Sequence, residues 1–303
     1  MKSDKDAAPT ESAIKKISSP WLVPFDGSLG VAPQIFSAPD AQADCKHLLN
    51  NSRKAIRPVQ KKLYAGKQFS ILLIFQALDA AGKDGAIREI FEGLDPAGVN
   101  ISAFKKPTAQ ELGHDFLWRT AKALPARGEM GVFNRSYYEE VLTVRVHPEY
   151  LDSQYAGNPP SAQALWPLRY RGIREHERHL ATANTLILKF WLNVSPARQA
   201  QRFIDRMDTV EKRWKFSRGD IRESTFRSQY DEALLHMFNE TSRPWAPWFC
   251  IPADDRWYLR WQIAEIIHQA ISALPLCYPA AEVISATEAS EIRELLNSLV
   301  KDE

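Results

Sequence analysis

The residues best suited to chemistry lie in the segment DAAGKDG, residues 79–85, directly after an apolar run that begins at Phe69. Phosphate-binding loops of the form G-x-x-x-x-G-K-[ST] connect a strand to a helix, and Gly82-Lys83 matches the centre of that pattern. Glycine lets backbone amides approach an anion, the helix start presents unpaired N–H groups, and the lysine supplies a compact cation. We predict that phosphate is bound by Ala80, Ala81, Gly82, Lys83, Asp84 and Gly85.

The loop departs from the general pattern at two positions. Ala77 stands where the first glycine is expected, and Asp84 stands where Ser or Thr would contact magnesium. The alternative interpretation is a tight turn at Gly82 and Gly85 that leaves Lys83 solvated. The run of apolar residues before the loop and the helical pattern after it favour phosphate binding.

Asp79 is an unusual residue in an anion-binding loop, because its carboxylate would repel phosphate. We predict that it is catalytic and binds magnesium or polarises an oxygen of the acceptor phosphate. The alternative is a turn-forming residue whose side chain accepts hydrogen bonds from local amides.

A second polar segment follows the apolar run MGVFN, where Asn134 and Arg135 precede a helical pattern. In doubly wound sheets, ligands bind beyond the carboxyl ends of the strands, where these two residues fall. Arg135 can bind phosphate through two parallel hydrogen bonds. Glu139 and Glu140 follow, either facing the site or serving as favourable charges near a helix start.

A basic segment extends from Arg198 to Arg227, with nine basic and five acidic residues in a chain whose net charge is only +2. The alternatives are a solvated helix face and a mobile lid that closes over a polyanion. Aromatic residues between the cations favour the lid, which we place at about residues 200–225. The cations that we assign to it are Arg206, Lys212, Arg213 and Lys215, which could neutralise the charge of such a polyanion.

The remaining pattern predicts an α/β fold. Candidate strands lie at 69–78, 99–104, 130–134, 185–194 and 248–253, with helical patterns at 108–123, 135–146, 170–183 and 196–240. Strands separated by helices indicate a parallel sheet between two helical layers. We expect a flexible arm at 1–35, one domain at 36–278 and a C-terminal helix at 279–303. Pro58 should interrupt the helical pattern before the first strand or begin a second helix.

Composition limits the cellular setting. The chain has 303 residues, three scattered cysteines and no apolar N-terminal stretch of the kind that a secretory signal requires. No apolar run reaches the ~18 residues that a membrane span needs. We expect a cytoplasmic protein with neither a membrane nor a nucleic acid as partner, and the arm and C-terminal helix favour homo-oligomer formation.

Six segments, in order, resemble the polyphosphate kinase 2 family: DAAGKDG, FKKPTAQE, FNRSYYEEVL, LILKFWLNVS, KRWKFS and APWFCIPADDRWYLRW. The resemblance covers residues 69–267 and implies a three-layer P-loop kinase fold of the thymidylate kinase type with a helical lid. It also implies magnesium and reversible phosphoryl transfer between inorganic polyphosphate and adenine nucleotides. Nucleotide binding is then assigned to Lys106, Arg119, Arg135 and Glu139. The resemblance also implies a catalytic role for Arg206 and polyphosphate binding by Lys212, Arg213 and Lys215.

The segment FNRSYYEE is similar to the class III members, which accept both AMP and ADP, whereas other members have Asp at position 134. Phosphoryl transfer needs in-line positioning and charge neutralisation, so no cysteine, serine or phosphohistidine intermediate is required. The alternatives are an ATP-dependent small-molecule kinase, a non-catalytic P-loop nucleotide-binding regulator, and a nucleic-acid binder that uses the basic segment.

Overall fold

The computed structural model describes residues 8–39, 44–155, 157–282 and 284–301, without the side chains of residues 212, 215 and 301. Its centre is a five-stranded sheet in which every neighbouring pair of strands is parallel, in the order β2-β3-β1-β4-β5. The strands are β1 Ser70–Gln76, β2 Val99–Ala103, β3 Met130–Asn134, β4 Thr185–Asn193 and β5 Trp248–Pro252. All five predicted strands are confirmed, and the fold is the predicted α/β class.

Helices cover both faces of the sheet. They are α1 Pro9–Ile14, α2 Cys45–Gly66, α3 Lys83–Ile90, α4 Ala109–Leu112, α5 Trp118–Ala121, α6 Thr143–Val146, α7 Ala162–Thr182, α8 Pro196–Asp208, α9 Arg218–Ser224, α10 Arg227–Thr241, α11 Arg256–Ser272 and α12 Ala286–Lys301. One core cluster joins α1, α2, α3 and α11 to one sheet face, and a second joins α7 and α10 to the other. The sheet therefore lies between two layers of helices, and the fold is a three-layer α/β fold.

Strand β1 is central because β3 and β4 pair with its two edges. All seven of its residues are buried, with Ile71 and Leu73 in one core cluster and Leu72 and Ile74 in the other. A strand covered on both faces reads as a continuous apolar run, which explains the sequence of this segment. The carboxyl ends of β1 and β3 are neighbours, since Phe75 pairs with Asn134.

Several predicted helices were wrong in extent. The segment 108–123 contains only α4 and α5, because α4 ends at Gly113 after one capped turn. The segment 135–146 cannot start as a helix, since Arg135 has a φ of 66° and Ser136 is extended, so a 3₁₀ turn at Tyr137–Glu140 replaces it.

The long pattern at 196–240 divides into α8, a 3₁₀ turn at Val210–Lys215, α9 and α10. The break after α8 lies at Thr209, whose backbone is extended. Helix α7 begins earlier than predicted, at Ala162. Helix α2 is continuous through Pro58, contrary to the expected interruption.

The described part of the N-terminal segment packs on its own chain, which differs from the expected flexible arm. Trp21 and Val23 are buried, and the N–H of Val23 donates to the Trp248 carbonyl over 2.9 Å. The N–H of Cys250 donates in turn to the Trp21 carbonyl, also over 2.9 Å, so this segment covers the free edge of β5. Covering an edge strand satisfies backbone groups that would otherwise stay unpaired.

The C-terminal segment contains the predicted helix as α12, which begins after Ser285 and carries an exposed apolar stripe that includes Leu295 and Leu299. None of the helices among the described residues combines the length and the continuous apolar character that a membrane span requires.

Candidate functional site

The phosphate loop connects the end of β1 to the start of α3. Ala80 and Gly82 both have positive φ values, 61° and 93°, which turn the chain sharply before Lys83 opens the helix. Gly82 suits this conformation because it has no Cβ. The first amides of α3 thus point beyond the sheet edge, where an anion is stabilised by unpaired N–H groups and the helix dipole.

Helix α8 braces the loop from outside. Gln199 Nε2 donates to the Asp79 carbonyl over 2.8 Å, and Arg202 Nη1 donates to the Ala80 carbonyl over 3.1 Å. Gln199 was missed by the sequence analysis, and Arg202 entered it only as one charge among nine. The signal was their position just after β4, three residues apart and therefore on one face of a helix.

Lys83 lies at the base of the loop with 9% of its surface exposed. Its Nζ donates to the Ala77 carbonyl over 3.3 Å, a long hydrogen bond. Burial foremost, and then the positive charge of Arg135, lower the pKa of Lys83 from 10.5 to about 8, while Glu139, Asp79 and Asp84 act in the opposite direction. A bound phosphate would relieve both of the lowering effects, because it replaces lost solvation and opposes the neighbouring cation.

Arg135 lies at the centre of a charged group at the ends of β1 and β3. Its Nη2 is 2.5 Å from Asp79 Oδ1 and its Nη1 is 3.5 Å from Glu139 Oε2. Glu139 above all, and Asp79, raise the pKa of Arg135, although burial opposes them. Burial would raise the pKa of Glu139, but Arg135 and hydrogen bonds from Thr143 and Gln76 lower it. The arginine therefore stays charged in the cleft.

The structure thus joins three of the predicted catalytic residues. Asp79 forms an ion pair with Arg135, a partner that sequence reasoning did not assign to it. Asn134 turns toward the loop, and its Nδ2 donates to Asp84 Oδ1 over 2.9 Å. The strained φ of 66° at Arg135 accompanies a hydrogen bond from its N–H to the Phe75 carbonyl, which fixes the turn.

A cleft lies between this charged group and the helices α9 and α10. Asp79, Arg135 and Glu139 form one wall, and Glu223, Arg227 and Tyr230 form the other. The last three were not among the predicted site residues. Arg227 Nη1 donates to the Val194 carbonyl over 3.1 Å, and Tyr230 donates to Glu223 over 2.8 Å. These contacts hold the base of the predicted lid against the sheet.

A second cavity, of about 170 Å³, lies beside the ends of β2 and β3. Its lining includes Phe116, Arg119, Glu140, Gln154, Tyr155 and Arg169. Arg119 Nη1 donates to the Lys105 carbonyl over 2.8 Å, so the predicted nucleotide residue is held at the cavity wall. Lys106, also predicted to bind nucleotide, is exposed and lines neither this cavity nor the cleft.

Glu140 and Arg169 form a buried pair in that cavity, with 3.2 Å between Oε2 and Nη1. Burial raises the pKa of Glu140, which Gln154 and Arg169 oppose. Arg169 Nε is buried without a hydrogen-bond partner. Arg169 comes from the middle of α7 and gave no signal in the sequence.

Two of the four lid cations assigned from the sequence make contacts within the lid. Arg206 Nη1 lies 3.3 Å from Asp220 Oδ2, and the Nε of the exposed Arg213 donates to the Met207 carbonyl over 2.9 Å. The side chains of Lys212 and Lys215 lie outside the described residues. The catalytic role of Arg206 and polyphosphate binding by Lys212, Arg213 and Lys215 therefore stay predictions.

The sequence of this chain is similar to those of known proteins. The family model of polyphosphate kinase 2 matches residues 40–275. An ADP-polyphosphate phosphotransferase from Rhodopseudomonas palustris is 43% identical over 250 residues, which cover 82% of this chain and 86% of that protein. An AMP/ADP-polyphosphate phosphotransferase from Meiothermus ruber is 42% identical over 232 residues, which cover 77% of this chain and 83% of that protein.

A solved structure agrees with both sequence matches. The crystal structure of polyphosphate kinase 2 from Arthrobacter aurescens superposes with a TM-score of 0.77 at 34% identity, covering 92% of this chain and 100% of that one. The residues that the family model matches, 40–275, include the phosphate loop, Asp79, Arg135 and the basic segment after β4. The chain is therefore a kinase of the transferase class and belongs to the polyphosphate kinase 2 family.

Proposed function

We propose that this chain transfers the terminal phosphoryl group of inorganic polyphosphate to AMP and to ADP, reversibly and without a covalent enzyme intermediate. The observation that carries the proposal is the pairing of two cations at one sheet edge: Lys83 from the loop after β1 and Arg135 from the end of β3. Arg135 lines the cleft, whose described lining also holds acidic residues and no cysteine, and Lys83 lies at the base of the adjoining loop. Such a site neutralises phosphate charge and offers no thiol nucleophile.

The donor and the acceptor are assigned to different parts of the site. We place the transferred phosphoryl group at Lys83 and the amides around Gly82, and the acceptor phosphate at Arg135. The nucleoside of the acceptor then enters the cavity beside β2 and β3, where Phe116 provides an aromatic face and Arg119 a cation. The Rhodopseudomonas relative is named for ADP and the Meiothermus relative for AMP and ADP, which supports this choice of acceptors.

The residues present fit a magnesium ion. Mg²⁺ prefers hard oxygen ligands and is usually held by one or two carboxylates together with substrate phosphates. Asp79 and Asp84 lie on the two sides of the loop lysine, and both influence its pKa. When bound, magnesium would neutralise charge on the bridging and terminal phosphate oxygens. Asp79 would share its carboxylate between that ion and Arg135.

The protein side chains contribute positioning and charge in this scheme. An oxygen of the acceptor phosphate forms the new P–O bond in line with the bond to the rest of the polyphosphate chain, which leaves with its electron pair. The acceptor oxygen is already ionised, so no general base is needed. Asp79 and Glu139 hold the Arg135 guanidinium, and the loop carbonyl of Ala77 holds the Lys83 ammonium. Preorganised cations of this kind stabilise the transition state.

The subclass, the cellular location and self-association are further parts of the same proposal. The Asn134 side chain and the segment around it support class III, in which both nucleotides are accepted. The buried thiols of Cys45 and Cys250 support a reducing location, the cytoplasm. The exposed apolar stripe of α12 supports self-association.

The test is direct. Purified protein is incubated with magnesium and long-chain polyphosphate, with AMP or ADP supplied separately, and the nucleotides are resolved by chromatography. ADP from AMP and ATP from ADP would support the whole proposal. Product from ADP alone would retain the activity and refute the class III assignment. Turnover only with ATP and another acceptor would refute polyphosphate as the donor.

A further inference from the structure

A short part of the N-terminal segment, residues 32–36, lies at the carboxyl ends of β4 and β5. We call these residues the strap. The Phe36 carbonyl accepts from the N–H of Asp254, just after β5, over 3.1 Å, and the Asp254 carboxylate accepts from the N–H of Ser195 over 2.9 Å. The strap precedes residue 40, where the match to the family model begins. It therefore brings contacts to this sheet edge from outside the matched residues.

Asn193, the last residue of β4, is bound to the strap. Its Nδ2 donates to the carbonyls of Pro33 and Ile35, over 2.9 Å in each case, and its Oδ1 accepts from Trp191 Nε1 over 3.3 Å. Asn193 is only 1% exposed, and a buried amide needs hydrogen-bond acceptors, which the strap supplies. Because Trp191 lines the cleft, the strap is connected to the cleft through these two side chains.

Arg227, the first residue of α10, contacts the strap as well. Its guanidinium carbon lies 5.5 Å from the centre of the Phe36 ring, which is within the range of a cation–π contact. Its Nε donates to Asp231 Oδ1 over 3.0 Å, and its Nη1 donates to the Val194 carbonyl over 3.1 Å. The guanidinium is thus held on one face and at two nitrogen atoms. Since Arg227 lines the cleft, the strap helps to fix a cation in the cleft wall.

The two ends of the predicted lid meet at the strap. The chain leaves the sheet after β4, at Val194, and returns at Arg227, and the hydrogen bond between these two residues joins the two ends. Asn193 attaches the first end to the strap, and Phe36 attaches the second. Hinges commonly lie at the ends of helices and strands, where a few residues absorb the change in backbone angles. Two hinges attached to one support act as a single pivot.

We propose that Asn193 and Phe36 are positioning residues for phosphoryl transfer, because they attach both ends of the lid to one support. The inference rests on the proposed function and on the predicted closure of the lid over polyphosphate. A lid on a fixed pivot has fewer orientations to lose when it closes, so closure costs less conformational entropy. Loosening the strap should therefore raise the KM for polyphosphate and lower kcat together, as hinge substitutions do.

The experiment compares two contacts of the same N-terminal segment. Asn193→Ala removes two hydrogen bonds to the strap, and Phe36→Leu removes the aromatic ring beside Arg227. The control is Asn239→Ala, because Asn239 forms two hydrogen bonds, of 3.0 and 3.2 Å, with the backbone of Leu29, near the far end of α10 from the lid. Each variant is assayed with ADP and long-chain polyphosphate, and its melting temperature is measured.

The KM separates a positioning role from a structural one. We expect Asn193→Ala to raise the KM for polyphosphate about fivefold and to lower kcat about threefold. Phe36→Leu should change each about threefold, and Phe36→Tyr, which keeps the aromatic face, should restore wild-type values. Asn239→Ala should leave both within about 1.5-fold, although it should lower the melting temperature by the same ~2–4 °C as Asn193→Ala. A purely structural loss would reduce the folded fraction and the apparent kcat without changing the KM.

Three results would overturn the proposal: a wild-type KM in the folded Asn193→Ala and Phe36→Leu variants, an equal rise in the KM of Asn239→Ala, or a rise in Phe36→Leu that Phe36→Tyr does not reverse. If Asn193→Ala does not fold, the comparison of Phe36→Leu with Phe36→Tyr decides alone.

Hydrogen exchange of the backbone amides provides a readout that needs no activity. Because the two lid ends are joined, each of the two strap variants should accelerate exchange in both 194–199 and 224–229, and Asn239→Ala in neither. Faster exchange only at the end next to the substitution would refute a common pivot. If the wild-type protein makes no nucleotide from polyphosphate, the proposed function fails. Faster exchange at both ends would then still sustain the strap as the support of the lid, and unchanged exchange would refute it.

Discussion

Two buried lysines, one at the end of the phosphate loop and one in strand β4, have the same lowered pKa and different surroundings. Burial lowers the pKa of Lys83 and of Lys189 to about 8 in both cases. Lys83, at the sheet edge, has one long hydrogen bond to a carbonyl and no carboxylate within ion-pair distance among the described residues. Lys189, inside β4, is fully enclosed and forms an ion pair of 2.7 Å with Glu177.

The partners of Lys189 form a closed network. Its Nζ also donates to the Tyr138 hydroxyl over 2.7 Å and to the Thr241 carbonyl over 2.8 Å, which uses all three of its protons. Glu177 Oε1 accepts from the hydroxyls of Tyr137 and Tyr138. The comparison teaches that a lowered pKa alone does not identify a functional lysine. The lysine with unfilled hydrogen-bonding capacity is the one that faces a ligand.

The largest expected effect comes from Lys83→Ala. We expect kcat/KM for polyphosphate to fall about 10³-fold, or ~4 kcal/mol, because a preorganised cation is removed from the transferred phosphate. The free energy of unfolding should change by about 1 kcal/mol or less, since the loss of packing is offset by the removal of a desolvated charge. Kinetics and urea unfolding measure the two quantities. Wild-type turnover in a folded variant would refute the site.

Lys189→Met should have the opposite signature. Removing one partner of a buried pair strands the charge of Glu177, so we expect the free energy of unfolding to fall by about 3 kcal/mol. The kcat/KM of the folded fraction should stay within about threefold of wild type, because the Lys189 side chain is fully buried and does not line the cleft. The matched variant is Lys189→Met with Glu177→Gln, which removes both charges and should recover part of the stability. A Lys189→Met variant that is stable but inactive would show that Lys189 has a functional role and not a structural one.

The pH dependence separates the two lysines. In the free protein Lys83 loses its proton as pH rises through about 8, so kcat/KM for polyphosphate should fall up to tenfold for each further pH unit. Lys83→Arg keeps a positive charge there, so its kcat/KM should be lower at all pH values but flat above pH 8. Lys189 is unchanged in that variant. A decline of the same size in Lys83→Arg would assign the titration to Lys189 or to another group.

The fold followed from the sequence to a large extent. Each of the five strands was predicted to within two residues at both ends, because strands buried on both faces are continuous apolar runs. Helix boundaries were harder to predict. The turn at Arg135 depends on a positive φ that its hydrogen bond to the Phe75 carbonyl stabilises, and β1 contributes that carbonyl from 60 residues away in sequence.

The site was predictable where its residues are consecutive and hidden where they are not. The loop around Lys83 and the pair at Arg135 stood directly after strands, so the sheet edge brings them together. Arg169 and Tyr230 come from helix interiors whose apolar and polar pattern is typical of packing. Their roles depend on which helix faces meet across the sheet, which is tertiary information. Lys106 shows the converse, since its motif suggested nucleotide binding and its side chain lines neither cavity.

The smallest expected effect is that of Tyr137→Phe, which tests whether the Lys189 network is purely structural. Tyr137 stands two residues after Arg135, and its hydroxyl donates to Glu177 over 2.9 Å. Because Tyr138 and Lys189 still bind that carboxylate, we expect a loss of only about 1 kcal/mol in the free energy of unfolding. The control is Tyr258→Phe on the other sheet face, which removes one buried hydrogen bond that the Tyr258 hydroxyl accepts from Trp21 Nε1. Both variants should keep kcat within twofold. A tenfold lower kcat in Tyr137→Phe alone, at equal stability, would show that the network also positions Arg135, and the two lysines would then serve one site.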